Sequence, residues 1–374
     1  MFRPFLSLYL LMLGADVTRV GIFFTADLAF SALLRPIGGW ISDNLGRIPS
    51  VAIGSVIGLF SYVAFTLAPS WQWMVAFSFT FSAGRALVGP SFRAYTAESA
   101  PEGQTAETFG LVNGLFTICG IIGPVLGGWL VTAYGIRTMF WGAVGVMVIA
   151  TGLRMYAARG ESFRWERVQL SGLGGSMRGM FAMMFAGGAI TWLVLSDGVA
   201  DFGTSTYAEL RPILFEQNGL TEANIGLLFS FHAMVYMLVS LFGSRLADRW
   251  SAVGALVFGR GIHVLSLGLL AFFPTPTMFW VYIALDALSF GLGDPAFDAM
   301  LANAAPKGNM GMTFGIFSTT ISVFSMPAPY IGGLLWENVG TATPFLLGAA
   351  ALGVAIVMLL VVLRPLMKAS RSPT

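Results

Sequence analysis

Ionisable side chains lie within long apolar stretches of this sequence, where a charge is unusual: Asp27, Arg85, His232 and Asp286. A charged residue at the centre of a bilayer costs about 2.5–3.5 kcal/mol on insertion scales, so it normally faces a wet cavity or an opposite charge. Carboxylate and imidazole groups in such places can exchange protons. Asp286 lies nearest the middle of its stretch and is therefore the first candidate for a proton-binding group.

Structural roles are open alternatives for the other three residues. Arg85 lies too far from either end of its stretch to reach the membrane surface easily, which favours a place in a cavity over hydrogen bonds to backbone carbonyls. Asp27 and His232 fit proton exchange and simple hydrogen bonding to a neighbouring helix equally well.

Further ionisable residues are weaker candidates. Asp294 and Asp298 lie one helical turn apart and fit an inner gate or a helix end better than a proton site. Arg260 is close enough to the inner membrane surface for its side chain to extend to water, and His263 is nearby.

The composition predicts that membrane-spanning helices position these residues. Of the 374 residues 56% are hydrophobic and 10% charged, and the mean hydropathy is +0.78. A helix needs about 20 apolar residues to cross the hydrocarbon core. Eleven stretches qualify: 20–40, 51–69, 73–92, 110–132, 139–156, 180–200, 226–243, 254–273, 278–296, 313–335 and 344–363. One cysteine and two histidines predict no disulfide framework, no metal site and no cofactor.

The basic residues predict the orientation of the chain. If the segment 158–179 is cytoplasmic, most basic residues fall on the same side, as is typical of cytoplasmic loops. These inner residues are Arg47, Arg154, Arg159, Arg164, Arg167, Arg178, Arg245, Arg249, Lys307, Arg364, Lys368 and Arg371. The outer side receives Arg3, Arg19, Arg137 and Arg211. The sequence therefore predicts a multi-pass protein of the plasma membrane with a cytoplasmic C-terminus.

The two halves of the chain repeat each other at an offset of 205 residues. Gly14 aligns with Gly219 and Pro124 with Pro329, and such residues resist substitution because of their backbone roles. The repeat predicts an N-terminal half, 1–157, a cytoplasmic linker, 158–179, and a C-terminal half, 180–374.

The same register aligns Asp27 with His232, in the outer parts of equivalent helices. A carboxylate and an imidazole that face one cleft can exchange protons.

The segment RPIGGWISDNLGR joins two spans through a sharp turn. Gly38 and Gly39 permit close contact between helices. Asp43 can accept hydrogen bonds from the N-terminus of a neighbouring helix, and Gly46 with Arg47 closes the turn. The segment therefore predicts a gate at one membrane face.

The stretch GLVNGLFTICGIIGPVLGG concentrates small residues and a proline in one span. Small residues let helices approach closely, and a proline bends its helix and frees a carbonyl. The residues concerned are Gly110, Gly123, Pro124, Gly127 and Gly128. The stretch predicts tight helix packing, and packing alone is an alternative to any further role.

These motifs resemble those of the major facilitator superfamily. The turn resembles the loop between the second and third helices of that family, and Arg85 with Gly89 resembles its Arg-x-x-x-Gly element. The glycine-proline stretch is similar to the fifth-helix signature of the drug:proton antiporter branch, the arabinose-efflux-permease-like proteins. The resemblance implies an all-α membrane protein with two homologous helical-bundle halves, eleven full transmembrane helices and an N-terminal stub.

The resemblance implies secondary active transport and no catalytic residues. Export is favoured by the fifth-helix signature, so we expect proton-coupled efflux of small amphipathic molecules by alternating access. A sugar or organic-anion symporter or facilitator, a non-transporting receptor and an inactive truncated form are alternatives. Against an enzyme, Cys119 lies in a packing motif and the histidines lie on different spans. The expected partners are a small-molecule substrate, protons and the lipid bilayer, without nucleic acid, for a monomeric chain.

The gate has a specific expected geometry. Asp43 should cap the helix that starts near residues 311–313, and its repeat partner Asp248 should cap the helix that starts near residues 105–108. Each contact would add about 0.3–1 kcal/mol to the state closed on the cytoplasmic side.

The opening FRPFLSLYLLMLG resembles LRPILFEQNG of the second half, which follows a full span. We therefore expect residues 1 to about 13 to be the outer turns of a helix whose body would precede Met1. A signal peptide is the alternative, although a cleaved signal would not continue the repeat.

Overall fold

The computed structural model describes residues 2–101, 104–160, 189–249, 251–304 and 310–363. Within these ranges the chain forms helices and no strand. Helices satisfy the backbone hydrogen bonds inside each segment, which a lipid environment requires. The all-helical membrane fold that the sequence predicts is therefore confirmed.

The first part of the chain begins with a short 3₁₀ helix, Arg3–Phe5. It continues with α1 (Leu6–Met12), α2 (Val17–Leu45), α3 (Arg47–Leu67), α4 (Trp71–Glu98), α5 (Thr105–Tyr134) and α6 (Ile136–Ala158).

The second part ends in a π-helical turn, Leu359–Leu363. Before it come α7 (Ala189–Tyr207), α8 (Arg211–Gln217), α9 (Glu222–Arg249), α10 (Ala252–Phe272), α11 (Pro276–Ala304), α12 (Met310–Ser325), α13 (Ala328–Asn338) and α14 (Thr343–Met358).

Eight helices in the described ranges are long and apolar enough to cross a membrane. The predicted span 180–200 begins outside the described residues. The predicted span 313–335 is wrong as a single helix, because α12 ends at Ser325 and α13 starts at Ala328. Pro327 lies at this break. Proline has no backbone N–H and therefore cannot continue the hydrogen-bond pattern of a helix.

The described residues fall into two compact units. One lies within residues 1–169 and 221–227, and the other within 170–220 and 228–374. In the first unit α4 packs against α2 and α3, and α3 packs against α6. In the second unit α10 packs against α11 and α14, and α14 packs against α7. Most of the predicted linker 158–179 lies outside the described residues.

Each unit contains helix crossings that only small residues permit. A Cβ atom at Gly54 would lie 2.9 Å from the Gly84 carbonyl oxygen, and one at Gly259 would lie 2.8 Å from that of Ser289. These two crossings occupy equivalent positions at the 205-residue offset. The sequence repeat is therefore matched by a structural one, because equivalent helices approach each other equally closely in the two units.

The short helix α1 is anchored within the first unit. The Tyr9 hydroxyl donates to the carbonyls of Phe65 (3.0 Å) and Thr66 (3.2 Å) at the end of α3. Phe5 and Tyr9 are fully buried. The loop after α1 turns at Gly14, which has a positive φ, as does its repeat equivalent Gly219 after α8.

Candidate functional site

An ion pair lies inside the first unit, between α2 and α4. Arg85 Nη2 lies 2.7 Å from Asp27 Oδ1 and 2.9 Å from Asp27 Oδ2. Ser82 donates to Asp27 Oδ1 at 2.8 Å, and Arg85 Nη2 donates to Ser31 Oγ at 2.9 Å. The guanidinium also lies over the Phe81 ring, 4.6 Å from its centroid. Asp27 and Arg85 therefore neutralise each other within one unit.

A second charge cluster lies inside the other unit, around a fully buried carboxylate on α11. Asp286 Oδ2 accepts a hydrogen bond from Arg211 Nη1 at 3.0 Å, and His232 Nε2 lies 3.1 Å from the same oxygen. His263 Nε2 lies 3.1 Å from Oδ1. These residues come from α8, α9, α10 and α11, so the cluster joins four helices. We call these four residues, with the two tyrosines described next, the Asp286 cluster.

Two phenol groups complete the Asp286 cluster. The Tyr207 hydroxyl lies 2.6 Å from His263 Nε2, and Arg211 Nη1 lies 3.3 Å from the Tyr282 hydroxyl. Both tyrosines are fully buried. A cluster of a carboxylate, a guanidinium and two imidazoles changes its net charge when one imidazole gains or loses a proton.

A cavity of about 200 Å³ opens beside the cluster, within the second unit. Its polar walls include Asp197, Asp201, Arg260, His263 and Asp294, with Phe290 and Phe297 among the apolar ones. Arg260 Nη2 donates to Asp197 Oδ1 at 2.8 Å, and Tyr236 donates to Asp294 Oδ2 at 3.1 Å. His263 belongs both to the Asp286 cluster and to this cavity wall.

The structure brings some of the predicted residues together and separates others. Asp286 and His232 are in contact, as are Asp27 and Arg85. Asp27 and His232, which the repeat aligns, belong to different units, and each has a partner in its own unit.

Two interpretations drawn from the sequence are corrected. Arg260 does not extend to the membrane surface, because its side chain is 7% exposed and bonded to Asp197. Arg211, counted only as an outer charge, turns inward to Asp286 with its side chain 17% exposed. The available signal was the Arg-Pro pair at residues 211–212, which repeats the pair at residues 3–4.

The predicted gate residues form a local network at the end of α2. Arg47 is bonded to Asp43, donates to Ser42 Oγ at 3.1 Å, and donates to Glu98 Oε1 at 3.1 Å. Gly46 has a φ of 100°, which a residue with a side chain rarely adopts. The turn between α2 and α3 is thus tied to the end of α4.

The predicted gate contacts fall partly outside the described residues. The side chains of Asp248 and of residues 302–316 lie outside the part that the structure describes. The two expected caps therefore stay predictions. Of the adjacent glycines, a Cβ on Gly38 would collide with the Ala86 carbonyl, whereas one on Gly39 would meet no described atom within 4 Å.

The glycine-proline stretch lies on α5, which continues through Pro124 without a break. A Cβ at Gly128 would lie 2.6 Å from the Glu222 carbonyl oxygen, which belongs to the same compact unit. A Cβ at Gly110 would have open space. Gly127 and Pro124 are buried, and Gly123 is half-buried. Close packing therefore involves the second half of the stretch.

No group of three or more His, Cys, Asp or Glu residues could hold a metal ion in the part of the chain that the structure describes. Asp27 pairs with Arg85 within the first unit, and Asp286 pairs with Arg211 and Asp197 with Arg260 within the second.

Apolar helices of membrane-spanning length, with charged residues paired inside them, define a multi-pass membrane transporter. The family model of the Major Facilitator Superfamily matches residues 1–196 and again residues 179–374. The chain belongs to the Major Facilitator Superfamily and is a transporter, not an enzyme.

Two relatives are similar to this chain in sequence, and one solved structure is similar to it in fold. The multidrug resistance protein MdtG of Klebsiella pneumoniae (strain 342) is 23% identical over 387 residues, which cover 98% of this chain and 90% of that protein. The multi-drug resistance efflux pump PmrA homolog of Lactococcus lactis subsp. lactis (strain IL1403) is 22% identical, with 89% and 83% covered. A bacterial homologue of the iron transporter ferroportin, in an inward-facing state, shares the fold at a TM-score of 0.75 and 16% identity, with 95% and 92% covered.

Proposed function

We propose that this protein exports small amphipathic molecules in exchange for protons, by alternating access of two homologous halves, residues 1–157 and 180–374. In this proposal the chain crosses the plasma membrane eleven times as full spans and keeps its C-terminus in the cytoplasm. The observation that carries the proposal is the Asp286 cluster, which holds a buried carboxylate against two imidazoles inside the second unit.

Proton coupling is supported by the charge balance of the cluster. Arg211 pairs with Asp286 at 3.0 Å, so the cluster has no net charge in the state in which neither His232 nor His263 carries an added proton. One added proton gives the cluster a net positive charge. This charge is costly because Asp286, at the centre of the cluster, is fully buried. A cost of this kind lets proton binding and release bias one conformation over another.

Export is supported by the relatives and by the glycine-proline stretch on α5. Two relatives that align with most of the chain have names that describe multidrug resistance or efflux. The residues Gly123, Pro124, Gly127 and Gly128 resemble the signature of the exporting branch. The cavity beside the cluster combines carboxylates with Phe290 and Phe297, which suits a molecule that has both polar and apolar parts.

Flux measurements in liposomes test this function. The purified full chain is reconstituted with a pH-sensitive dye inside, and a lipophilic fluorescent cation is added under an imposed pH gradient. We expect the cation to move against the proton flow, and each flux to require the other. Cation movement without proton movement would indicate a facilitator, and sugar or organic-anion movement together with protons would indicate a symporter. Asp286→Asn is the matched control for coupling.

A further inference from the structure

His263 Nε2 has two competing neighbours in the Asp286 cluster. The Tyr207 hydroxyl oxygen lies at 2.6 Å and Asp286 Oδ1 lies at 3.1 Å. A hydroxyl can donate to an unprotonated ring nitrogen, whereas a carboxylate can only accept from a protonated one. The protonation state of Nε2 therefore decides which of the two neighbours it binds.

One oxygen of Asp286 is left without a hydrogen bond. Oδ2 accepts from Arg211, but the buried Oδ1 makes no hydrogen bond of acceptable geometry to any described residue. An unsatisfied buried acceptor is costly, and a charged one more so. This geometry fits an arrangement in which His263 Nε2 accepts from Tyr207 while Oδ1 has no donor.

We propose that His263 is the group that binds the coupled proton, and that the proton switches its Nε2 from the Tyr207 hydroxyl to Asp286 Oδ1. This inference rests on the proposed proton coupling, and it assigns the binding of the coupled proton to one atom, His263 Nε2. A hydronium ion that reaches the ring loses one O–H bond and becomes water, its proton bonds to the Nε2 lone pair, and no covalent bond of the protein breaks. Tyr207 keeps its proton and rotates it away, while Asp286 stays ionised and paired with Arg211.

Other charged groups around the imidazole fit this assignment. The acidic group in contact with the ring is Asp286 on α11, and the cavity wall that His263 shares also holds Asp197, Asp201 and Asp294 from α7 and α11. The phenol in contact with the ring is that of Tyr207, and Tyr282 belongs to the same cluster. The basic neighbours are Arg211, Arg260 and His232, from α8, α10 and α9. The helix α14, which packs against α10, has no titratable side chain. The charged groups around the ring therefore include more carboxylates than guanidinium groups.

His263 is better placed for this role than His232. Its ring lines the cavity, whereas Asp286 and His232 are not among the lining residues, so a proton can reach it from that side. His232 faces Asp286 Oδ2, which already accepts from Arg211. Because Tyr207 ends α7 and Asp286 lies on α11, the switch loosens one helix contact and tightens another. Proton binding can therefore shift the balance between two conformations.

The two histidines of the chain make a direct test possible. The full chain, freed of any affinity tag and labelled with ¹⁵N-histidine, is placed in lipid nanodiscs and titrated between about pH 5 and pH 9. His232→Gln identifies the His263 signals. We expect Nε2 of His263 to be an unprotonated acceptor at high pH and protonated at low pH.

Variants on each side of the ring give opposite expected shifts. Tyr207→Phe removes the donor that holds the unprotonated form, so the proton affinity of His263 should rise about fivefold. Asp286→Asn removes the acceptor of the protonated form, so the affinity should fall about tenfold or more. Thermal unfolding identifies any variant that is not folded, and His263→Gln in the liposome assay should lose both the proton flux and the cation flux that it drives.

The outcomes separate this assignment from the proposed function. If the unmodified chain couples cation and proton flux while His263 keeps one protonation state throughout the titration, the assignment to His263 is wrong and the proposed function stands. Undiminished proton flux in His263→Gln would have the same meaning. If the unmodified chain moves the cation with no proton flux, the proposed coupling fails, and this inference fails with it.

Discussion

Asp27 and Arg85 form an ion pair between α2 and α4, in which the single nitrogen Nη2 of Arg85 lies 2.7 and 2.9 Å from the two carboxylate oxygens. At the 205-residue offset His232 takes the place of Asp27, and Phe290 takes that of Arg85. The partner of His232 is Asp286, whose equivalent is Phe81. Each unit thus places one acid beside one base between equivalent helices, with the roles exchanged and the second charge moved by about one helical turn.

The first prediction concerns the stability of the Asp27–Arg85 pair. Asp27→Asn should lower the free energy of unfolding by about 1–2 kcal/mol, because it leaves a guanidinium without its carboxylate. This is less than for a fully buried pair, since the Arg85 side chain is 39% exposed. Adding Arg85→Gln should recover part of the loss. Thermal unfolding in detergent measures this, and simple additivity of the two losses would show that the residues are not coupled.

The second prediction concerns transport by a variant of the buried carboxylate. Asp286→Asn should abolish pH-driven transport because Arg211, His232 and His263 would lose the anion that they share. The protein should still fold, since the side chain keeps its size. The measurement is uptake in liposomes under a pH gradient, with gel filtration as the control for folding. Unchanged pH-driven uptake would move the coupling role to Asp27.

How far the fold and the site could be predicted depends on which forces decide them. The helices were predictable because an apolar segment in lipid has no water to bond, and a helix satisfies its backbone N–H and C=O groups internally. The break at Pro327 was missed because residues 313–335 contain no charged residue, and hydropathy does not show where a proline interrupts a helix.

The position of Arg211 shows what the sequence could not settle. The turn at residues 208–210, between α7 and α8, directs this side chain into the bundle. Hydropathy places the residue at a membrane face, but it does not indicate where a long side chain points. Arg260 was misinterpreted because hydropathy likewise does not indicate that its side chain points inward. Its partner Asp197 lies 63 residues away in the sequence.

The third prediction concerns the gate at the end of α2. If Asp43 caps the helix that begins near residue 311, Asp43→Asn should lower the population closed on the cytoplasmic side by about two- to fivefold, which corresponds to about 0.3–1 kcal/mol. Glu98→Gln is the matched control, because it removes the other carboxylate bonded to Arg47 and leaves the expected cap in place. Spin-label distances across the proposed cytoplasmic ends, in a Cys119→Ser background, measure the population. Equal shifts in both variants would argue that Asp43 acts only through Arg47.

The last prediction separates two adjacent glycines of the same motif. Gly38→Ala should lower the free energy of unfolding by about 1–3 kcal/mol, because the new methyl group would collide with the Ala86 carbonyl on α4. Backbone cannot move aside as a flexible side chain can, so α2 and α4 would have to separate. Gly39→Ala should be neutral or slightly stabilising, since its Cβ meets open space among the described residues and alanine favours the helix.

The second unit supplies an independent copy of this comparison. Gly243, the repeat equivalent of Gly38, meets the Gly291 carbonyl in the same way, so Gly243→Ala should cause a similar loss. Thermal unfolding of the three variants in one detergent gives the ranking, and liposome flux shows whether the folded fraction still transports. If Gly38→Ala proved as stable as Gly39→Ala, the close crossing of α2 and α4 would not be a packing constraint, and the glycine at position 38 would need another explanation.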